Sequence, residues 1–242
     1  MLNSMYTILL LITAVGLPWL AECNSRYQKF FVNTRAINFV DATKHGFRII
    51  LLDGFVEKYL APTQIPTLFI TAIPLKIGEK TLAKIFYPDN VRDDRQVSIT
   101  DLNERSWYYL CVEWENFNRH NESTGTDCRM LRTLDKSGKG ADSTIDDVEL
   151  MDITSTSMQF KLRSTVDFPI RLTLSLEGGT GPVPPAQTFV YKDRSDVEVS
   201  FQFLAQDREY GKLCVIEEPL ITGYTTMGRL AAQIYIQKCY FS

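Results

Sequence analysis

Two segments of this chain repeat the same residue pattern. Residues 37–51 (INFVDATKHGFRIIL) align without gaps with residues 148–162 (VELMDITSTSMQFKL), with Asp41 opposite Asp152 and apolar side chains at matching places. Three further matches follow in the same order along both halves. A series of matches in one order indicates an internal duplication, so we expect two similar domains.

Apolar and polar residues alternate within the matched segments. In the first half Phe47, Ile49 and Leu51 alternate with Arg48 and Ile50, and in the second Leu172, Leu174 and Leu176 do the same with polar neighbours. A period of two places one face of a strand in a core and the other towards solvent. Each half holds about seven such runs, separated by turn-rich stretches, and no long amphipathic helix. The sequence therefore predicts an all-β fold of two tandem β-sandwiches.

The first residues have the pattern of a leader. An apolar run, Met5 to Ala21, is followed by Glu22 and Cys23, which gives the small-x-small pattern of a signal-peptidase site. We expect a signal peptide over residues 1–23, cleaved after Cys23; the alternative is an uncleaved membrane anchor. No second apolar run of membrane length follows, so the mature chain is expected to be secreted, with no stable membrane span.

The two domains are predicted at residues 24–134 and 148–242, joined by a linker at 135–147 (DKSGKGADSTIDD). The linker composition is typical of a flexible segment. Its acidic end, with Glu149 and Asp152, could hold calcium between the domains. A solvated linker is the favoured interpretation because no fixed ligand spacing is present, so neither a metal nor a cofactor is predicted.

The chain has five cysteines, and removal of Cys23 with the leader leaves four: Cys111, Cys128, Cys214 and Cys239. An even set in an exported protein is expected to pair, because that compartment is oxidising. Four cysteines allow three pairings, and their spacing alone does not choose among them.

Strand parity and the repeat favour one pairing. Tyr108, Leu110 and Val112 share an apolar face of their strand, so Cys111 lies on the opposite, outer face. Cys214 occupies the matching place in the second half, and no cysteine occurs early in either half, which disfavours the core-crossing disulfide of an immunoglobulin domain. We therefore predict two bridges across the last hairpin of each domain, Cys111–Cys128 and Cys214–Cys239, each contributing about 3 kcal/mol to stability.

The pattern Leu102, Tyr108, Leu110 and Val112 resembles the fibronectin type III family, in a cysteine-bearing form with Y-x-L-C-V that is found in extracellular proteins. The resemblance covers residues 35–135 and 147–242. It implies that Tyr108 forms a structural corner with the preceding loop. It also implies adhesion or recognition of another protein.

The chain departs from the family pattern in two ways. The tryptophan expected in the second strand is missing from both halves, so Leu51 and Leu162 or their neighbours are expected to fill that space. In the second half one extra residue separates Tyr210 from the Cys214 motif, which favours a bulge there.

No catalytic residues are predicted. The chain has two histidines, His45 in a predicted turn and His120 in a loop, and neither has a cysteine or carboxylate at ligand spacing. Neither a G-x-S-x-G motif nor a P-loop occurs. An enzyme is therefore not expected.

Two surface features stand out. Asn121 begins the one N-glycosylation sequon, in the loop between Cys111 and Cys128, where a glycan is expected. The loop Glu217–Gly228 is unusually apolar, and its candidate partner-binding residues are Leu220, Ile221, Tyr224 and Met227. The alternative is that this loop packs on its own domain or on the linker.

The net charge of −3 and the pI of about 5.5 give no general basic surface, so nucleic acid is not an expected partner. The leading hypothesis is a secreted adhesion-type protein that binds an extracellular or cell-surface protein. A soluble signalling ligand or decoy for a receptor is the first alternative. A secreted hydrolase with a non-standard site is the second.

Overall fold

The computed structural model describes residues 35–59, 66–87, 91, 94–116, 125–178, 186–191, 196–206, 209–231 and 234–241. In this part of the chain the regular structure is nearly all β-strand, in four antiparallel sheets that form two tandem sandwiches. The predicted all-β fold class is confirmed. The leader predicted at 1–23 lies outside the described residues.

The first sandwich pairs a three-stranded sheet with a four-stranded one. Its strands and its one described helix are β1 (Ile37–Thr43), β2 (Gly46–Leu51), α1 (Asp53–Tyr59), β3 (Pro66–Pro74), β4 (Leu82–Phe86), β5 (Gln96–Ile99), β6 (Trp107–Asn116) and β7 (Gly125–Arg132). The strand orders are β1-β2-β5 and β4-β3-β6-β7.

The second sandwich repeats this arrangement. Its strands are β8 (Ile145–Ile153), β9 (Ser157–Ser164), β10 (Ile170–Glu177), β11 (Gln187–Tyr191), β12 (Asp196–Gln202), β13 (Lys212–Pro219) and β14 (Ile236–Phe241). The strand orders are β8-β9-β12 and β11-β10-β13-β14, so each strand has a counterpart in the first sandwich.

The first core, whose second strand lacks the tryptophan of the family pattern, contains a buried aromatic pair. Leu51 is fully buried, as expected, and Trp114 on β6 adds its ring from the opposite sheet. Trp114 meets Phe55 of α1 edge to face, with ring centroids 4.8 Å apart. The sequence pattern did not predict α1, because a helix of seven residues is too short to show a helical period.

The second core has the same plan, and the described residues of this sandwich include no helix. Leu162 is buried as expected, and Phe160 of β9 meets Phe201 of β12 edge to face at 6.3 Å between ring centroids. Aromatic pairs of this geometry add about 1 kcal/mol beyond the area that they bury.

A buried carboxylate fixes the start of the first strand in each sandwich. Asp127 on β7 accepts the backbone N–H groups of Ala36 and Ile37 at 2.9 and 3.0 Å. In the second sandwich Glu217 on β13 accepts the N–H and hydroxyl of Thr144 at 2.6 and 2.5 Å. These bonds satisfy backbone donors that would otherwise be buried without an acceptor.

The segment between the sandwiches has structure at both ends. Asp135 accepts hydrogen bonds from Ser137 and from the Lys139 N–H at 2.9 Å, which closes a turn. Strand β8 already begins at Ile145, and the Ser143 hydroxyl just before it donates to Glu217 at 2.6 Å. These contacts limit the flexibility that the composition of residues 135–147 indicated.

Candidate functional site: the contact between the two sandwiches

The outer face of the β3–β6 sheet in the first sandwich is buried rather than exposed to solvent. Ile73, Tyr109, Cys111 and Glu113 point away from the first core and yet have almost no accessible surface. The apolar members of this set belong to one cluster with the core of the second sandwich. Parity therefore identified the outer face correctly, but this face is covered by the other domain.

The covering element is the loop between β13 and β14, residues 220–231, which we call the docking hairpin. Tyr224 and Leu230 form an isolated antiparallel bridge within it. The Thr225 N–H donates to the Arg229 carbonyl at 2.9 Å, and the Gly228 N–H donates to the Thr225 carbonyl at 3.0 Å. These internal bonds give the loop a defined shape.

Glu113 is the polar centre of this contact. Its carboxylate accepts the Thr225 hydroxyl at 2.5 Å and the Met227 N–H at 3.3 Å. Burial raises the pKa of Glu113, while these hydrogen bonds and the nearby Arg229 guanidinium act in the opposite direction. A buried carboxyl group with specific donors fixes the register of the hairpin on the sheet.

Further contacts extend along the same face. The hydroxyls of Thr71 and Thr226 lie 2.6 Å apart, and the Tyr109 hydroxyl donates to the Ile221 carbonyl at 3.4 Å. Burial raises the pKa of Tyr109, with a smaller contribution from the charge of Glu218. Tyr109 therefore stays neutral and donates at any ordinary pH.

Gly223 of the hairpin packs closely against Ile73 of β3. A Cβ atom added at this residue would lie 2.5 Å from Cγ2 of Ile73, well inside van der Waals contact. Glycine is therefore required here by the neighbouring side chain.

The four candidate partner-binding residues divide between two sides of this hairpin. Ile221 and Met227 are partly buried and contribute backbone groups to the contact with the first sandwich. Leu220 and Tyr224 are exposed, Tyr224 by 66%. Leu230, which the sequence did not single out, lies across the bridge from Tyr224 and is exposed by 50%.

The two disulfides join Cys111 to Cys128 and Cys214 to Cys239, each across neighbouring strands at directly paired positions. Glu177 lies close to Cys214 and Cys239, but their sulfurs are bonded to each other and offer no thiolate to a metal. Cys111 is fully buried because the second sandwich covers its face.

A second contact region, of mixed charge, lies beside the linker. A cavity of about 210 Å³ is lined by residues of both sandwiches, including Lys76, Arg132 and Asp167. Lys76 pairs with Asp167 at 3.3 Å, which links the sandwiches by an ion pair. Exposed pairs of this kind contribute at most about 1 kcal/mol.

The remaining sequence-predicted residues lie elsewhere. His45 is in the β1–β2 turn, with Nδ1 3.3 Å from the Leu102 carbonyl oxygen. His120 and the sequon residue Asn121 lie outside the described residues. Within the described ranges no helix is long and apolar enough to cross a membrane.

Comparison with known proteins gives structural matches. No family model matches the chain, and no curated protein matches its sequence. The solved structures include a two-domain fibronectin type III segment of chicken tenascin, at 14% identity, TM-score 0.28 and coverage of 87% of this chain and 99% of that one. The FN1–FN3 domains of chicken CNTN1 match at 11% identity and TM-score 0.25, with coverage of 87% and 64%.

The strand orders of the two sandwiches decide the fold. This chain has the fold of two tandem fibronectin type III-like domains. The tyrosine corner that the resemblance implied is present in the first type III-like domain, where the Asn103 N–H donates to the Tyr108 hydroxyl at 3.0 Å. The second domain has it too, since the Ala205 N–H donates to the Tyr210 hydroxyl at 3.3 Å.

Proposed function

We propose that this protein is a secreted, non-enzymatic binding protein that recognises another extracellular or cell-surface protein through the exposed side of the docking hairpin. Type III-like domains are typically adhesion or protein-binding modules. Disulfides persist in oxidising compartments, which supports export. The proposal includes cleavage of the leader at 1–23 and glycosylation of Asn121.

One observation carries the proposal: Tyr224 and Leu230 are paired across the hairpin and exposed by 66% and 50%. The same hairpin is held on its other side by Glu113 and Thr71. A tyrosine supplies a large contact area at a low cost in conformational entropy. A loop already fixed in shape loses less entropy on binding than a free loop, so the pair is a favourable anchor.

Two further apolar side chains of the segment between β13 and β14 are exposed: Leu220 at the base of the hairpin, and Tyr235 just before β14. Exposed aromatic and aliphatic side chains are typical of protein-binding sites.

The proposal is tested by placing a photo-reactive phenylalanine analogue at position 224 and irradiating the protein on intact cells and with extracellular fluid. The matched control carries the analogue at Tyr87, which is exposed to a similar degree in the first domain. We expect one cross-linked protein specific to position 224, and about tenfold weaker binding of that protein by Tyr224→Ala or Leu230→Ala. Equal cross-linking from both positions, or unchanged binding by both variants, contradicts the proposal.

A further inference from the structure

The cleft between the two sandwiches contains two neighbouring cavities. One, of about 210 Å³, lies beside the Lys76–Asp167 ion pair, and the other, of about 310 Å³, lies along residues 139–143 of the linker. Both cavities are lined by Arg105, Arg132, Ser143 and Asp146. Two guanidinium groups therefore lie where the cavities meet.

Backbone contacts place these two arginines side by side. Arg132 is the last residue of β7 and pairs with Trp107 of β6. The pairing continues beyond the strand ends, since the Arg105 N–H donates to the Leu134 carbonyl at 3.1 Å. Arg105 and Arg132 are thus diagonal neighbours on paired segments, a spacing that two long side chains can bridge.

The carboxylates that line the two cavities have other partners. Three of them pair with lysines, with N–O distances of 3.3 Å for Lys76–Asp167, 3.6 Å for Lys136–Glu104 and 2.8 Å for Lys238–Asp142. Asp135 accepts hydrogen bonds from Ser137 and Lys139, and Asp146 accepts the Thr165 hydroxyl at 2.7 Å.

The two arginines lack such partners among the described residues, where neither forms an ion pair. Nη2 of Arg132 donates to the Lys139 carbonyl at 3.4 Å, but the buried Nε has no hydrogen-bond partner in this part of the chain. Burial lowers the pKa of Arg132, and the charge of Arg105 acts in the same direction, against the charges of Asp135 and Asp146. The surroundings therefore leave positive charge uncompensated, and a buried donor without an acceptor is often explained by a bound ion or water.

We propose that this cleft binds one tetrahedral oxyanion group, a phosphate or a sulfate, between the guanidinium groups of Arg105 and Arg132. The planar fork of a guanidinium group matches the oxygens of such a group and donates two hydrogen bonds to it. A phosphate group carries a charge of about −1.5 to −2 near neutral pH, which balances two arginines better than a single carboxylate does. The facing wall belongs to the second sandwich and includes Thr165, Val166 and Phe168, so the oxyanion would lie where the two domains meet.

The probe is inorganic phosphate, titrated into the full chain near pH 7 in place of chloride at constant ionic strength. The Nε–H signals of the arginine side chains are followed by NMR. We expect saturable shifts at Arg105 and Arg132, with the larger shift at Arg132 because its Nε has no other acceptor among the described residues. Arg171 is the internal reference, since it lines neither cavity and pairs with Glu218 at 3.0 Å.

Substitutions separate charge from geometry. Arg105→Gln and Arg132→Gln should each weaken phosphate binding by about tenfold or more, since each removes a charged hydrogen-bond donor. Arg132→Lys keeps the charge without the fork, so its affinity should lie between that of Arg132→Gln and that of the wild type. The matched control Arg171→Gln should bind phosphate as the wild type does. Arg105 is exposed, so Arg105→Gln decides the matter even if the Arg132 variants fold poorly.

Methyl phosphate distinguishes the two sources of a phosphate group. Binding as tight as that of inorganic phosphate shows that the site accepts a group carried by a larger molecule. Binding weaker by about tenfold or more restricts the site to the free ion. Either result upholds the oxyanion site.

Two results would overturn the proposal. The first is the lack of a saturable shift at Arg105 and Arg132, or an equal shift at Arg171. The second is unchanged phosphate affinity in Arg105→Gln. Failure of this test leaves the hairpin proposal standing, because neither rests on the other.

Discussion

Glu113 connects the two sandwiches through a single buried carboxyl group. It comes from β6 of the first domain, and its hydrogen-bond donors come from the docking hairpin of the second. Burial raises its pKa above the ordinary value of 4.5, so the folded chain holds the proton at pH values at which the unfolded chain has lost it. Glu113 therefore lowers the free energy of unfolding as the pH rises above about 4.5.

Glu113→Gln should remove this pH dependence. In Glu113 the Thr225 hydroxyl and the Met227 N–H bond to different carboxylate oxygens. The amide oxygen of glutamine can still accept from the Met227 N–H, and its NH2 group can donate to the Thr225 hydroxyl, so the hairpin should stay docked. The variant cannot titrate, so its free energy of unfolding relative to the wild type should increase as the pH rises from 4 towards 7. Urea unfolding at several pH values measures this difference.

Glu115→Gln on the same strand is the control for the change in net charge. The free energy of unfolding of Glu113→Gln, relative to that of the wild type, could instead decrease as the pH rises. Such a decrease would mean that the charged form of Glu113 stabilises the contact. That result would contradict the direction of the pKa shift.

Phe203 and Asp101 occupy one backbone position in the two halves of the repeat, and both have positive φ. A left-handed backbone conformation costs about 1–2 kcal/mol for a residue such as phenylalanine. The cost is smaller for asparagine or aspartate. Phe203→Asn should therefore raise the free energy of unfolding by about 1 kcal/mol, since the exposed ring makes little contact that could be lost. Asp101→Phe should lower the free energy of unfolding by a similar amount. The midpoints of denaturant unfolding measure the effect of each substitution. A destabilised Phe203→Asn would show that the ring packs within the fold.

At the scale of single elements, the docking hairpin has two different sides. One side carries Gly223, Thr225 and Met227 against the first sandwich, and the other exposes Tyr224 and Leu230. Because one side of the hairpin is held against the first sandwich, Tyr224 and Leu230 on the other side face solvent in a fixed geometry. The element that joins the domains is also the element proposed to bind the partner.

Gly223→Ala should lift the hairpin from β3, because the new methyl group would lie 2.5 Å from Cγ2 of the stiff, β-branched Ile73. We expect a loss of about 1–3 kcal/mol in the free energy of unfolding and faster hydrogen exchange of the Met227 amide. Gly211→Ala is the control, since an added Cβ there meets no atom within 4 Å. Equal effects of the two substitutions would contradict a close contact at Gly223.

The strands and disulfide pairs could be predicted from the sequence because they depend on local signals. Alternation placed Phe47, Ile49 and Leu51 in a core, and parity placed Cys111 on an outer face. The helix α1 was missed because seven residues give too little periodicity. The buried contact between Trp114 and Phe55 was not predicted either, because Phe55 lies on that helix.

The contact between domains could not be predicted in the same way. Glu113 and Thr225 are 112 residues apart, and each is an ordinary polar residue in its own segment. Strand parity indicates that Tyr109 and Glu113 point away from the core, but the same pattern describes a solvated face and a face covered by another domain. The apolar composition of the loop at Leu220–Met227 was the one available signal, and it did not say which surface would cover it.

At the scale of the whole molecule, duplication has given two similar sandwiches with different surroundings. The outer face of the first sandwich is covered by the hairpin of the second. The hairpin surface proposed to bind the partner therefore lies on the second domain, and the first domain holds the hairpin in place.

The central claim is that the hairpin of the second sandwich is bonded to the outer face of the first through Glu113 and Thr225. A double-mutant cycle with Glu113→Ala, Thr225→Ala and the double variant, measured by urea unfolding, tests it most directly. The account predicts a coupling free energy of about 1–2 kcal/mol between the two substitutions. Strictly additive effects, with no coupling between these residues of different domains, would contradict it.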